Sequence, residues 1–122
     1  MLTLPVTVRI YACLKAVDFR RGVDGLAAIV REALGRDPLS GDLFLFRNRR
    51  SDRLKILFWD GDGFWLWYKR LERGTFRFPR SVGEALEIDR TQLTCLLEGV
   101  DLSSVRRQRR YRLSLKRKAN VS

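Results

Sequence analysis

Apolar positions change their period along the chain, and the changes mark its elements. Val6-Thr-Val-Arg-Ile-Tyr11 alternates in character and is rich in β-branched residues, which predicts a strand. Leu26, Ile29, Val30, Ala33 and Leu34 then recur at i, i+3, i+4, i+7 and i+8, one face of a helix laid on a core. Asp18 is the candidate N-cap upstream of it. Gly35 suits the C-terminal end, and Pro38 blocks continuation.

From Asp42 the period falls to two. Leu43 to Phe46 reads as a strand, Arg47 to Arg53 as a polar turn, and Leu54 to Trp59 as a second strand. Asp60-Gly-Asp-Gly63 holds two Asp-Gly pairs, a strong hairpin signal, and Phe64 to Tyr68 is the strand that follows. Leu71 to Thr75 turns again, and Phe76-Arg-Phe78 starts a fourth strand that Pro79 stops. Asp89 then resembles an N-cap with Gln92 at the capping-box position. Leu93, Leu96 and Leu97 form the apolar face of this second helix, which Gly99 ends.

The expected fold class is therefore α+β. A small antiparallel meander sheet, the N-terminal strand plus about four strands, packs with two helices and is followed by a basic C-terminal tail. The length of 122 residues suits one domain over 1–105, with 106–122 as a tail that is helical or without fixed structure.

Charge divides the chain further. It carries 25 Lys and Arg against 14 Asp and Glu, net +11. All the acidic residues lie at or before Asp101, whereas 106–118 hold eight basic ones, among them Arg106, Arg107, Arg109, Arg110 and Arg112. The body is thus close to balanced and the tail is not. Such a tail attracts polyanions through a screened, sequence-independent field.

A meander places successive turns at alternate ends of its sheet. The 47–53 and 70–75 turns should share one end, and the 60–63 turn should occupy the other. The first end would gather Arg47, Arg49, Arg50, Arg53, Lys69, Arg70 and Arg73, and the second Asp60 and Asp62. One reading makes the basic end a phosphate-contacting patch. The plainer reading is solvated turn residues. The basic tail and the preference for Arg, whose planar fork suits phosphate, favour the first.

A search for catalytic chemistry finds little. The chain has no histidine, which removes Ser-His and Cys-His nucleophile pairs. No Gly-rich phosphate loop precedes a helix. Asp60 and Asp62 with a third carboxylate suit a divalent cation in principle, but an Asp-Gly turn accounts for both. No catalytic residue, metal ligand or cofactor is expected. Cys13 and Cys95 sit in apolar surroundings outside any C-x-x-C pair, and read as reduced core residues of a cytoplasmic protein; one disulfide between them is the alternative. No export signal and no apolar run of membrane-spanning length is seen, so no membrane partner is expected.

The aromatic strands leave three readings open. Alternation puts Phe64, Leu66 and Tyr68 on one face and Trp65 and Trp67 on the other, with Trp59 across the tight turn. Trp59, Trp65 and Trp67 are core, a platform for unpaired bases, or a protein-binding patch. They are the candidate partner-binding residues.

The string DPLSGDLFLFRNRRSDRLKILFWDGDGFWLWYKRLERGTFRFP closely resembles the TnpB (Orf2-like) accessory proteins of the insertion-sequence sixty-six family. Upstream, VRIYACLKAVDFRRGVDGLAAIV is similar to the start of that family, whose Asp-Met-Arg-Lys-Gly element stands here as Asp18-Phe19-Arg20-Arg21-Gly22. The resemblance covers about residues 6 to 100 and leaves out the tail. It implies a non-catalytic accessory role in DNA transposition, beside a co-encoded transposase and a small helix-turn-helix protein. The expected partners are DNA at the element ends, the transposase, or both. The alternative is a protein–protein adaptor without direct DNA contact. The family brings no catalytic residues to carry over.

Overall fold

A computed structural model describes residues 7–98 of the chain. The expectations at Val6, Gly99 and the tail arginines lie outside the described residues. Five strands and two helices follow in order: β1 (Ile10–Cys13), α1 (Val23–Glu32), β2 (Leu43–Arg47), β3 (Arg53–Trp59), β4 (Phe64–Arg70), β5 (Ala85–Ile88) and α2 (Arg90–Leu97). The strands form one sheet in the order β4-β3-β2-β1-β5. β1 and β2 run parallel, joined through α1; every other pair is antiparallel. The α+β class and the strand count are as the sequence predicts.

Both faces of the sheet are covered. Ile10 and Ala12 of β1, Leu43 and Leu45 of β2, and Leu54, Ile56 and Phe58 of β3 face Leu93, Cys95 and Leu96 of α2. The alternate positions, Tyr11, Cys13, Phe44, Phe46 and Leu57, face Leu26, Ala27 and Val30 of α1. Period-two alternation sends neighbouring residues to opposite layers, so almost every residue of β2 is buried. Each large side chain sealed there contributes roughly 1.5–3 kcal/mol of apolar burial. Cys13 and Cys95 are buried in opposite layers, so the sheet lies between them.

Three local expectations change. β1 begins at Ile10 rather than Val6 and runs on to Cys13, because its neighbours set its length. Ile10 faces the first residue of β2 and the last of β5, and Cys13 faces Ala85. Asp18 does not cap α1. Its Oδ1 accepts from the Arg20 amide at 2.9 Å and its Oδ2 pairs with the Arg20 guanidinium at 2.7 Å, closing a turn ahead of the helix. Gly22 is the N-cap, without a side-chain bond. At the other end Gly35, at φ +64, takes the chain out of the helix as the sequence predicts.

The third change is the fourth strand of the meander, expected at Phe76–Phe78. Three strands, β2, β3 and β4, make the meander, and β4 stands at the edge of the sheet. Phe76 and Phe78 are buried in the α2 layer, and Arg77 between them is exposed. The alternation is that of an extended segment lying across a sheet face, not of a ladder. Its role in strand number passes to β5, which pairs with β1. The Asp89–Gln92 capping box of α2 is fully formed: the Asp89 carboxylate accepts from the Gln92 amide at 2.7 Å, and the Gln92 side chain accepts from the Asp89 amide at 2.8 Å.

Candidate nucleic-acid interface

The turn between β2 and β3 is built by its own polar side chains. Asn48 Oδ1 accepts from the Arg53 amide at 3.0 Å, and Asn48 Nδ2 donates to Asp52 Oδ1 at 2.7 Å. That side-chain bond is the main cause of a lowered Asp52 carboxyl pKa. The Ser51 amide donates to the Asn48 carbonyl at 3.0 Å, and Ser51 itself stands at φ +60.

The second basic turn is tied directly to the first. The Leu71 amide donates to the Asp52 carbonyl at 2.8 Å, and the Phe76 amide donates to the Ser51 carbonyl at 2.6 Å. Arg53 and Arg70 sit opposite each other in the β3–β4 ladder. The two turns therefore share one end of the sheet. The 60–63 turn follows the Trp59–Phe64 pair at the far end of the same ladder. The electrically polarised sheet expected from strand spacing is what the ladder produces.

The basic residues at this end differ in how they are held. Arg49, Arg50, Arg70 and Arg73 are exposed, and Arg70 pairs with Glu72 at 3.3 Å. Arg53 is half-buried, with its Nε out of solvent and without an acceptor. Arg47 is half-buried too. Its Nη2 donates to the Leu14 carbonyl at 2.8 Å and its guanidinium lies 4.9 Å from the centre of the Phe78 ring. Its Nε is buried without an acceptor, and burial lowers its pKa. Lys69 departs from the expected grouping: its ammonium donates to the Leu97 carbonyl at the end of α2.

Between the 48–53 turn and the segment after Thr75 lies a recess of about 520 Å³. Arg47, Arg50, Arg77 and Arg80 line it, together with Ser51 and Thr75. Arg77 and Arg80 did not emerge from the sequence, because Phe76-Arg-Phe78 reads as strand interior. The usable signal was Arg77-Phe-Pro-Arg80, two arginines flanking a proline that no inner strand tolerates.

At the opposite end Asp60 holds the hairpin together. Its Oδ1 accepts from the Asp62 and Gly63 amides at 3.2 and 3.1 Å, and its Oδ2 accepts from the Trp65 indole at 2.5 Å. The indole bond, foremost, keeps the Asp60 carboxyl below its usual range, while Asp62, hydrogen-bonded to Asp60 and facing its charge, is raised. Among the described residues no group of three His, Cys, Asp or Glu side chains stands close enough to hold a metal ion.

The three tryptophans do not form one patch. Trp59 meets Phe64 edge-on at 5.0 Å, and alternation places it in the α1 layer with Leu57. Trp67 packs against the α2 core. Trp65 alone is largely open, 46% exposed, with its ring stacked on Phe58 at 6.2 Å. Among the described residues no helix is long and apolar enough to cross a membrane.

Known proteins add an independent comparison. A sequence model of the family described as IS66 Orf2 like protein matches residues 8–107. Two proteins of Sinorhizobium fredii (strain NBRC 101917 / NGR234) are similar to the chain over 101 residues. The uncharacterized protein y4jC is 44% identical, covering 83% of this chain and 86% of its own length. The uncharacterized protein y4hO is 42% identical, covering 83% and 88%. No solved structure matches the chain.

Proposed function

The chain belongs to the IS66 Orf2-like family, and from that membership, which carries an accessory role associated with transposition, we propose that it is a non-catalytic DNA-contacting protein acting through the basic end of its sheet. It works in the cytoplasm, at the element ends, beside the co-encoded transposase and small helix-turn-helix protein. One observation supports the DNA contact above the rest. The Leu71–Asp52 backbone hydrogen bond joins the 48–53 and 70–75 turns and the Phe76–Ser51 bond ties the residue just beyond, so Arg49, Arg50, Arg53, Arg70 and Arg73 gather at one end while Asp60 and Asp62 occupy the other. The tail residues Arg106, Arg107, Arg109, Arg110 and Arg112 add to the attraction for the same polyanion. The use of both Asp60 oxygens inside the hairpin and the lack of histidine support a role without catalysis.

Binding of the full chain to element-end duplex, measured against salt, tests this reading. About five phosphate contacts predict a loss of roughly 10²- to 10³-fold between about 50 and 200 mM salt. Arg49→Glu with Arg73→Glu should weaken binding and flatten that dependence, whereas Asp62→Asn should not. A salt-insensitive affinity, or equal effects at both ends of the sheet, would count against it.

An adaptor reading has its own support in the open edge of β4 and in Trp65 beside it. An edge strand offers unpaired backbone groups, and an exposed indole offers an anchor. Co-purification of the chain with the transposase, with and without DNA, tests it; Trp65→Ala should abolish the association if this surface carries it.

A further inference from the structure

We infer that the chain pairs with a second copy of itself along β4, antiparallel and two-fold symmetric, so that two five-stranded sheets become one of ten strands. The inference goes beyond the DNA reading and does not depend on it. It commits the open edge of the sheet to one occupant.

β4 is an edge with little to protect it. Among the described residues it has a neighbouring strand on one side only, at the end of the order β4-β3-β2-β1-β5. It runs for seven residues, against four for β5 at the other edge, and contains neither Pro nor Gly. Edges that stay single are usually short, or interrupted by a bulge or a proline. Four large apolar side chains stand exposed among the described residues, and β4 carries two of them, Trp65 and Tyr68.

Two hydrogen bonds fix which backbone groups are on offer. The Asp60 amide donates to the Gly63 carbonyl and the Leu71 amide to the Asp52 carbonyl, one at each end of the β3–β4 ladder. Antiparallel pairs alternate between bonded and non-bonded, so Trp65, Trp67 and Lys69 turn their amides and carbonyls to β3. Phe64, Leu66, Tyr68 and Arg70 turn theirs outward. A second β4 can bond to that set only in registers that step by two. One register uses all of it, with Phe64 opposite Arg70 and Leu66 opposite Tyr68. Trp67 then meets its own copy at the two-fold axis, and Trp65 falls opposite Lys69, an indole against a cationic stem. An apolar recess of about 300 Å³ lined by Leu54, Ile56, Trp67 and Leu97 lies on that same face, beside the axis.

Charge selects the antiparallel sense. Each copy has Asp60 and Asp62 at one end of β4 and Arg70 and Arg73 at the other. Within one copy like stands with like: Arg53 opposite Arg70, and Asp62 against Asp60. Antiparallel pairing lays the acidic turn of each copy beside the basic turn of the other, with Asp62 diagonal to Arg70. Arg70 keeps its own Glu72 pair at 3.3 Å, so the attraction acts between whole turns and not through one bridge.

Sedimentation velocity of the full chain without nucleic acid tests the pairing. The expected result is a dimer that dissociates on dilution. A monomer at every concentration up to about 0.1 mM, ten times a Kd of about 10 µM, overturns it and leaves the edge to the transposase of the adaptor reading. Asp62→Arg and Arg70→Asp should each weaken the dimer several-fold, and the two together in one chain should regain most of the loss. The two positions lie at opposite ends of β4, so that recovery has to pass between copies; no recovery overturns the proposal. Tyr68→Pro removes an outward amide, leaves the β3 ladder its bonds, and should abolish the dimer. Should that variant not fold, Trp65→Cys with Lys69→Cys decides: mild oxidation should give a covalent dimer from the double variant and none from either single one. A dimer indifferent to Tyr68→Pro and to both charge reversals forms elsewhere, and the proposal fails. Absence of DNA binding with the dimer intact removes only the reading under Proposed function.

Discussion

The amide of Phe76 donates to the carbonyl of Ser51 at 2.6 Å, across 25 residues of sequence, and so joins the turn after β2 to the segment that crosses the sheet face. Ser51 offers that carbonyl from a left-handed backbone conformation, φ +60, which a non-glycine residue takes only when its surroundings impose it. Here the imposing contacts are visible on both sides: the Ser51 amide to the Asn48 carbonyl, and the Ser51 carbonyl to Phe76.

Substitution at Ser51 should therefore read out backbone rather than side chain. Ser51→Pro removes the amide donor and demands a negative φ, and should cost about 3 kcal/mol or more. Ser51→Gly accepts the φ freely, and should lie within about 1 kcal/mol of the parent. Urea midpoints of the two variants check the contrast.

Arg47 and Arg50 line the same recess but should behave differently on removal. Arg47→Ala strips the Leu14 carbonyl of its donor and the Phe78 ring of its cation, for a loss of about 1–3 kcal/mol. Arg50 is exposed, and Arg50→Ala should change stability by no more than about 0.5 kcal/mol. Equal urea midpoints for the two variants would contradict the structural role of Arg47.

Asp18 predicts an acid-side response. Hydrogen bonds from the Arg20 side chain, and then from its amide, lower the Asp18 carboxyl from 3.8 to about 2. A carboxyl with a depressed folded pKa stabilises the fold above its unfolded value, and loses that contribution as pH falls through the folded one. The contribution of Asp18 should thus be complete above 3.8 and fade towards 2. Carboxyl NMR titration should place Asp18 well below 3.8, and the stability of Asp18→Asn should fall less than the parent's across that window.

Asp60→Ala should loosen the hairpin at the acidic end. Two amides and the Trp65 indole lose their acceptor together. Hydrogen exchange at Asp62 and Gly63 should accelerate, and Trp65 emission should shift to the red. Protection at Leu45 and Leu57, deep in the sheet, should be unaffected.

The local elements were legible because local forces make them. Asp60 to Gly63 and the Asp89–Gln92 pair are decided within four residues, and the structure follows the sequence at both. Pairing of β5 with β1 is not local: Cys13 meets Ala85, and nothing within either strand names the other. The Phe76–Phe78 alternation misled because burying every second side chain needs only a face to lie on, not a neighbouring strand. That same misreading concealed Arg77 and Arg80. The shared end of the two basic turns was legible, since successive turns of a meander fall at alternate ends of its sheet. What the arginines do there was not. Arg47 is fixed among Leu14 and Phe78, and Lys69 reaches α2, through contacts that form only once the chain has closed.

The separation of charge along β3 and β4 makes the described part of the molecule a compass needle. In the proposed complex a polyanion would align it before contact, drawing in Arg49, Arg50 and Arg73 and repelling Asp60 and Asp62. Trp65 rides beside the repelled turn, tethered to Asp60, about one strand length from the arginines. On that proposed reading, the open indole would face outward, away from the nucleic acid and available to a third component of the assembly. One sheet thereby has a basic end and an acidic end, set apart by seven residues of ladder.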